Sequence, residues 1–148
     1  TTDTATTAAD GNYSFEVEPG GNYTVTPAKT NDSNFTSGIT TYDIVLMRRH
    51  LLGRGDLPSP YKIIAAAEIN AEGDITITTQ DIDLTRSLIL RKIASFPGNR
   101  LWQFVSSDFV FANASHPFPF SKNRTYSGIM ERQTDQNFIG VKLGEVSE

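Results

Sequence analysis

The chain has 148 residues, 38% of them hydrophobic and 20% charged, with a net charge of −4 and no cysteine. That suffices for one ordinary globular domain or two small ones. It excludes disulfides and thiolate metal sites, offers no basic stripe to neutralise nucleic-acid phosphates, and contains no apolar run long enough to span a membrane.

The first residue is Thr and no leader pattern precedes the fold, so the sequence reads as a mature, trimmed or excised fragment. Residues 1–9 are rich in Thr and Ala and fit a linker or an edge strand. From Gly11 onward Tyr13, Phe15 and Val17 alternate with polar residues. The turn Pro19-Gly20-Gly21-Asn22 follows, then Tyr23, Val25 and Pro27 alternate in the same way. The pattern predicts a β-hairpin over residues 13–27. An isolated hairpin is marginal in water, so its partner strand is expected elsewhere in this chain or in another molecule. The string DGNYSFEVEPGGNYTVTPAK resembles the last strands of prealbumin-like or B-type repeat domains.

A duplication dominates the middle of the chain. Residues 39–52 recur as residues 77–90, with Ile, Thr, Thr, Asp, Ile, Leu, Arg and Leu at matching places and a constant offset of 38 (Asp43 to Asp81). Each copy predicts a loop running into an amphipathic helix. Ile44, Met47 and Leu51 form the apolar stripe of the first, and Ile82, Ile89 and Ile93 that of the second, which is expected to end near Ser95. Thr40 and Thr78 fit helix N-caps, and Asp43 and Asp81 fall in the first turn, where a carboxylate meets the positive end of the dipole.

The stretch before the first helix, residues 32–43, places oxygen-bearing groups at alternating positions. Calcium takes roughly six to eight oxygens, and such alternation can turn them inward on one loop. The candidate ligands are Asp32, Asn34, Thr36, Gly38 through its carbonyl, Thr40 directly or through water, and Asp43 as the closing carboxylate. Ile39 points away, into the core. Before the second helix, counting back from Asp81 gives Asn70, Glu72, Asp74, Thr76 and Thr78, with Ile75 at the turn. Counting forward from Glu68 gives Asn70, Glu72 and Gly73, with two residues to spare before Asp81. Asn70, Glu72 and Asp81 serve in both registers. The same residues also fit Asx-turns that lead into capped helices, with no metal.

This arrangement resembles the type I dockerin family over residues 29–97. The strings GITTYDIVLMRRHLLG, SPYKIIAAAEIN and ITTQDIDLTRSLIL look like dockerin-like modules in surface proteins of Bacteroidetes-type bacteria. The family pattern usually has Gly where Ser37 stands. The resemblance implies an α+β fold: a pseudo-symmetric pair of EF-hand-like loop-helix units flanked by β-hairpin and strand segments. It also implies two bound Ca2+ ions, an extracellular or cell-surface location, and a cohesin-like protein partner or a neighbouring surface subunit. Arg48, Arg49 and Arg86 are the exposed residues expected to meet that partner.

Between the helices, Gly53 fits a helix C-cap, and Pro58 and Pro60 stop any continuation. Arg54-Gly55-Asp56 matches an integrin-recognition triplet but consists of ordinary loop residues. Residues 61–67 predict a short third helix. After Phe96-Pro97-Gly98-Asn99 the chain is aromatic and strand-like, with Trp102, Phe104, Phe109 and Phe111 in alternating pairs and a strand expected within residues 137–146. The aromatics read as core before they read as a ligand platform. NFIGVKLGEV also looks like the segment that closes such bacterial modules.

No catalytic constellation is visible. His50 and His116 lack local partners for a triad or a zinc site, no glycine-rich phosphate loop occurs, and no carboxylate pair stands in a glycosidase context. Six Asn-X-Ser/Thr sequons begin at Asn12, Asn22, Asn31, Asn34, Asn113 and Asn123 and fit β-turns. The expectation is a noncatalytic calcium-binding interaction module of a larger secreted or surface protein. It divides into residues 1–28 (end of a β-sandwich-like repeat), 29–97 (the duplicated module) and 98–148 (a β-rich segment), all packed in one compact unit. Two alternatives stand beside it. One is a structural subunit or spacer of an adhesin or fibre, self-assembling by strand pairing. The other is an accessory region of a polysaccharide-degrading enzyme.

Overall fold

The computed structural model describes residues 1–148. Three helices are formed: α1 (Thr41–Leu51), α2 (Pro60–Ala67) and α3 (Thr79–Ile89). Four short strands make two separate two-stranded antiparallel sheets. β1 (Tyr23–Val25) pairs with β3 (Arg124–Tyr126), and β2 (Trp102–Ser106) pairs with β4 (Phe138–Lys142). The protein is therefore of mixed α and β structure. No helix is long and apolar enough to cross a membrane.

The duplication survives folding. Thr40 and Thr78 are the N-caps of α1 and α3, in extended backbone, and the carboxylates of Asp43 and Asp81 accept their N–H groups at 2.7 Å in both copies. Both helices also end alike, in the paired backbone bonds that close a helix around a left-handed residue. The N–H of Gly53 donates to His50 and that of Arg54 to Arg49; 38 residues on, Arg91 donates to Leu88 and Lys92 to Ser87. α1 packs on α3. At their contact Thr85 Oγ1 lies 4.0 Å from Met47 Sδ. These are equivalent positions of the repeat, and contact between equivalents is what a local twofold axis produces.

α2 presents five consecutive buried residues, Ile63, Ile64, Ala65, Ala66 and Ala67. A helix apolar on most sides must be enclosed, and it packs against β4. Its alanines let the chain after β4 approach closely enough for Gly144 N–H to donate to the Ala65 carbonyl at 2.9 Å. Ser59 caps it and Pro60 opens it, in keeping with proline's tolerance at the first helical position. One hydrophobic cluster runs from Phe35 to Val146 and takes in Phe96, Leu101, Val105, Val141 and Leu143, so the core is continuous across the expected boundary at residue 97. Trp102, Phe109, Phe111, Phe118 and Phe120 are partly buried against it, as the core reading of the aromatics requires.

Three expectations are corrected. Residues 13–17 form no strand, and the hairpin does not close: β1 takes its partner from β3, with Tyr23 opposite Tyr126 and Val25 opposite Arg124. Tyr13 instead packs on Phe138 and donates its hydroxyl to the Gln136 carbonyl. Tyr13 thus finds its aromatic and hydrogen-bond partners on the C-terminal segment, and not in a local hairpin. α3 stops at Ile89 rather than near Ser95, because Arg91 adopts φ +57° and the next N–H groups fold back onto Ser87. The aromatic alternation around Phe109 and Phe111 yields no strand; these two rings stack edge to face, and Phe111 meets Tyr61 in the same way.

Candidate metal centre

The two loops differ sharply in how their oxygens are used. In the first, Asp32 Oδ1 accepts the N–H of Asn34 at 3.0 Å and Oδ2 accepts the indole N–H of Trp102 at 3.0 Å. These bonds, foremost that from Asn34, hold the Asp32 carboxyl below the usual range. Asn34 Oδ1 is turned inward onto the Ser37 N–H. The Thr36 hydroxyl lies 3.5 Å from the same oxygen. The main-chain carbonyls of Asn34 and Ser37 converge on one donor, the Lys142 ammonium, at 2.9 and 2.5 Å. Burial pulls the Lys142 pKa down, and the nearby charges of Asp32 and Glu145 oppose that shift.

Gly38, at φ +78°, turns the chain toward the helix. Ile39 is buried, as expected. The Thr40 hydroxyl accepts from Tyr42 N–H and faces Asp43 Oδ2 at 3.2 Å. Asp43 is fully buried. Its Oδ1 takes the N–H groups of Val146 and Ser147 at 2.8 and 3.0 Å. Each carboxylate oxygen of this loop thus holds a donor from the chain, and the Lys142 ammonium bridges two main-chain carbonyls that are not among the candidate ligands.

The second loop closes on itself. Asp81 is fully buried; its Oδ2 binds the N–H and hydroxyl of Thr78, and its Oδ1 accepts Asn70 N–H at 3.1 Å. Asn70 stands at the repeat position of Asp32. Its own Oδ1 is buried and has no hydrogen-bond partner in the chain, which is costly unless a donor, a water or a cation meets it. Burial pushes the Asp81 carboxyl up to about 6, and the neighbouring Asp74 charge adds to the rise. Asp74 also accepts the Thr76 N–H in an Asx-turn at 3.3 Å.

Glu72 is drawn away. It pairs with Lys122 at 3.2 Å, and Lys122 also lies 3.5 Å from the fully buried Glu68. Glu68 receives the N–H of Gly73, at φ +82°, and the Gln103 amide. Glu68 and Glu72 thus share the Lys122 ammonium, whereas Asn70, Asp74 and Asp81 are engaged by hydrogen bonds alone. No cluster of three or more His, Asp or Glu side chains forms a ready-made metal site, so any ion here would draw on amide, carbonyl and hydroxyl oxygens as well.

Of the expected partner-facing residues, Arg48 and Arg49 are exposed on α1, beside Tyr42, Val45 and Leu52. Arg86 is half-buried and paired with Asp83 at 2.7 Å. His50 Nδ1 accepts the Leu57 N–H at 3.0 Å, which ties the Arg54–Asp56 loop to α1. Reading the sequence did not find Trp102, Lys142, Val146 or Ser147 as partners of the first loop; nothing local links them to it. The chain matches no family model, no curated protein and no solved structure.

Proposed function

We propose that the chain is a noncatalytic interaction module, dockerin-like in design, of a larger secreted or cell-surface bacterial protein. The observation that carries this is the repeat itself. Two loop-helix units share caps, C-terminal closures and a contact between equivalent residues, Met47 and Thr85. That is scaffolding for presenting a helix face rather than for chemistry. The face is that of α1, where Tyr42, Val45 and Leu52 lie exposed beside Arg48 and Arg49. Its occupant is a protein with an apolar patch rimmed by carboxylates, of the cohesin-like kind.

Calcium belongs to the second loop in this reading. The unpartnered Asn70 Oδ1, the buried Asp81 and its neighbour Asp74 fit a hard cation, and carbonyl and hydroxyl oxygens around Thr76 and Glu72 complete the candidate set. Bound there, the ion would neutralise the loop and fix the start of α3. Fibre assembly by strand pairing remains the second reading, with the open edge of β1 rather than an orphan hairpin as its docking strand, since β1 pairs with β3 on one side only.

The test is calorimetric titration of calcium into EDTA-stripped protein, with melting followed in parallel. One binding event is expected, lost in Asp81→Asn and kept in Asp32→Asn. Absence of binding would remove calcium from the reading. The docking half is tested by binding to cohesin-domain proteins, with Arg48→Glu and Arg49→Glu together expected to abolish it at unchanged melting. Failure of any such protein to bind would remove the cohesin-like partner.

A further inference from the structure

We propose that the first loop is held by the chain itself rather than by a metal ion, the Lys142 ammonium bridging the main-chain carbonyls of Asn34 and Ser37 and the C-terminal tail holding the Asp43 carboxylate. The inference does not rest on calcium in the second loop. Its geometry is specific. β2 and β4 pair with Trp102 opposite Lys142. From that one cross-strand pair, the indole grips the Asp32 carboxylate and the ammonium grips the carbonyls of Asn34 and Ser37.

Beyond Lys142 the chain turns at Gly144, φ +88°, and the N–H groups of Val146 and Ser147 reach Asp43. Glu145 locks this turn: it pairs with Lys62 at 3.1 Å and accepts the N–H groups of Ser147 and Glu148. A divalent ion in such a loop would have to neutralise both Asp32 and Asp43. Here the work is divided. A tethered ammonium serves the carbonyls, the Trp102 indole and the Asn34 N–H serve Asp32, and backbone dipoles serve Asp43. Because the cation is covalently attached, its effective concentration does not depend on the solution. The loop and the start of α1 are therefore held independently of metal supply.

Amide hydrogen exchange on the full chain, with EDTA and with excess calcium, tests this. In the wild type the protection of residues 32–43 should be the same in both. Lys142→Met should lower that protection about ten- to a hundredfold in EDTA, the range for losing hydrogen bonds to a charged group. Lys142→Arg should retain most of it. A calcium-dependent rise in protection of residues 32–43 in the wild type would overturn the inference, whether or not the variants fold. So would unchanged protection in Lys142→Met. The response of residues 70–78 to calcium reports separately on the second loop.

Discussion

Asp81 is an interior carboxylate whose hydrogen bonds from Thr78 and Asn70 only partly offset its burial, and Asp74 works against it. Its pKa rises to about 6, above the value of about 4 expected in the unfolded chain. The folded state therefore binds more protons between those values. The stabilisation linked to Asp81 is fully present below pH about 4 and is lost as pH rises through about 6. For a shift of about two units this amounts to roughly 3 kcal/mol. Chemical denaturation of calcium-free protein across that window should show this loss, and Asp81→Asn should remove it. A bound cation opposes the same effect, and protons compete with it for the carboxylate. The rise in Tm on adding calcium should thus be larger above pH about 6 than below about 5. Equal rises at both would detach Asp81 from the ion. Met47 is the other residue of weight at this scale. It is fully buried at the helix contact, and Met47→Ala should cost about 2–5 kcal/mol by leaving a cavity, measurable by urea denaturation.

The helices are defined as much by how they stop as by how they start. Gly53 and Arg91 occupy the same left-handed position after α1 and α3, at φ +67° and +57°. Glycine enters that region freely, whereas a residue with Cβ meets strain of about 1–2 kcal/mol. Arg91 is exposed and its side chain makes no hydrogen bond or ion pair that would compensate. Arg91→Gly should therefore stabilise the protein by about 0.5–1 kcal/mol after the entropy cost of glycine, read as a Tm rise of about 1–4 °C. Gly53→Ala should lower Tm by a similar amount. No change in either variant would mean that the two closures contribute nothing to stability.

Across the whole molecule, the C-terminal half supplies the fastenings. Arg124 in β3 is 8% exposed and donates to Asp108, Ser107, Gln136 and the Asn137 carbonyl, with its guanidinium over the Phe138 ring. It joins the strand that holds β1 to the segment leading into β4. No residue before Phe35 enters the core cluster, so residues 1–28 are held by β1–β3 pairing, by the bonds of Gly20, Gly21 and Asn22 to residues 128–129, and by Tyr13. Arg124→Ala should cost about 1.5–3 kcal/mol through lost charge-assisted hydrogen bonds. It should also speed proteolysis within residues 1–28 before the rest of the chain is cut. Cleavage at the wild-type rate would show that β3 holds without its arginine.

The repeat, both N-caps, the short α2 and the strand around Val141 were legible in the sequence, because each depends on neighbours within a few residues: a helical period, a Thr three places before an Asp, an alternation. The same local grammar named Asp43 and Asp81 but not their uses. Asp43 is completed by residues 103 and 104 positions away, and Asn34 by a lysine 108 away. The partner of β1 lies about as far along the chain, and it was chosen over the neighbouring segment that the alternation had favoured. Such pairings depend on which surfaces the core brings together, and no short-range pattern records that. The early stop of α3 has another cause. Its apolar period continues through Ile93, but helix closure at Arg91 and Lys92 prevails over it. Local sequence thus built two similar loops, and the tertiary structure made them unlike: packing carried Lys142 and the tail onto the first, and Lys122 onto Glu68 and Glu72 of the second, where Asn70 Oδ1 has no donor.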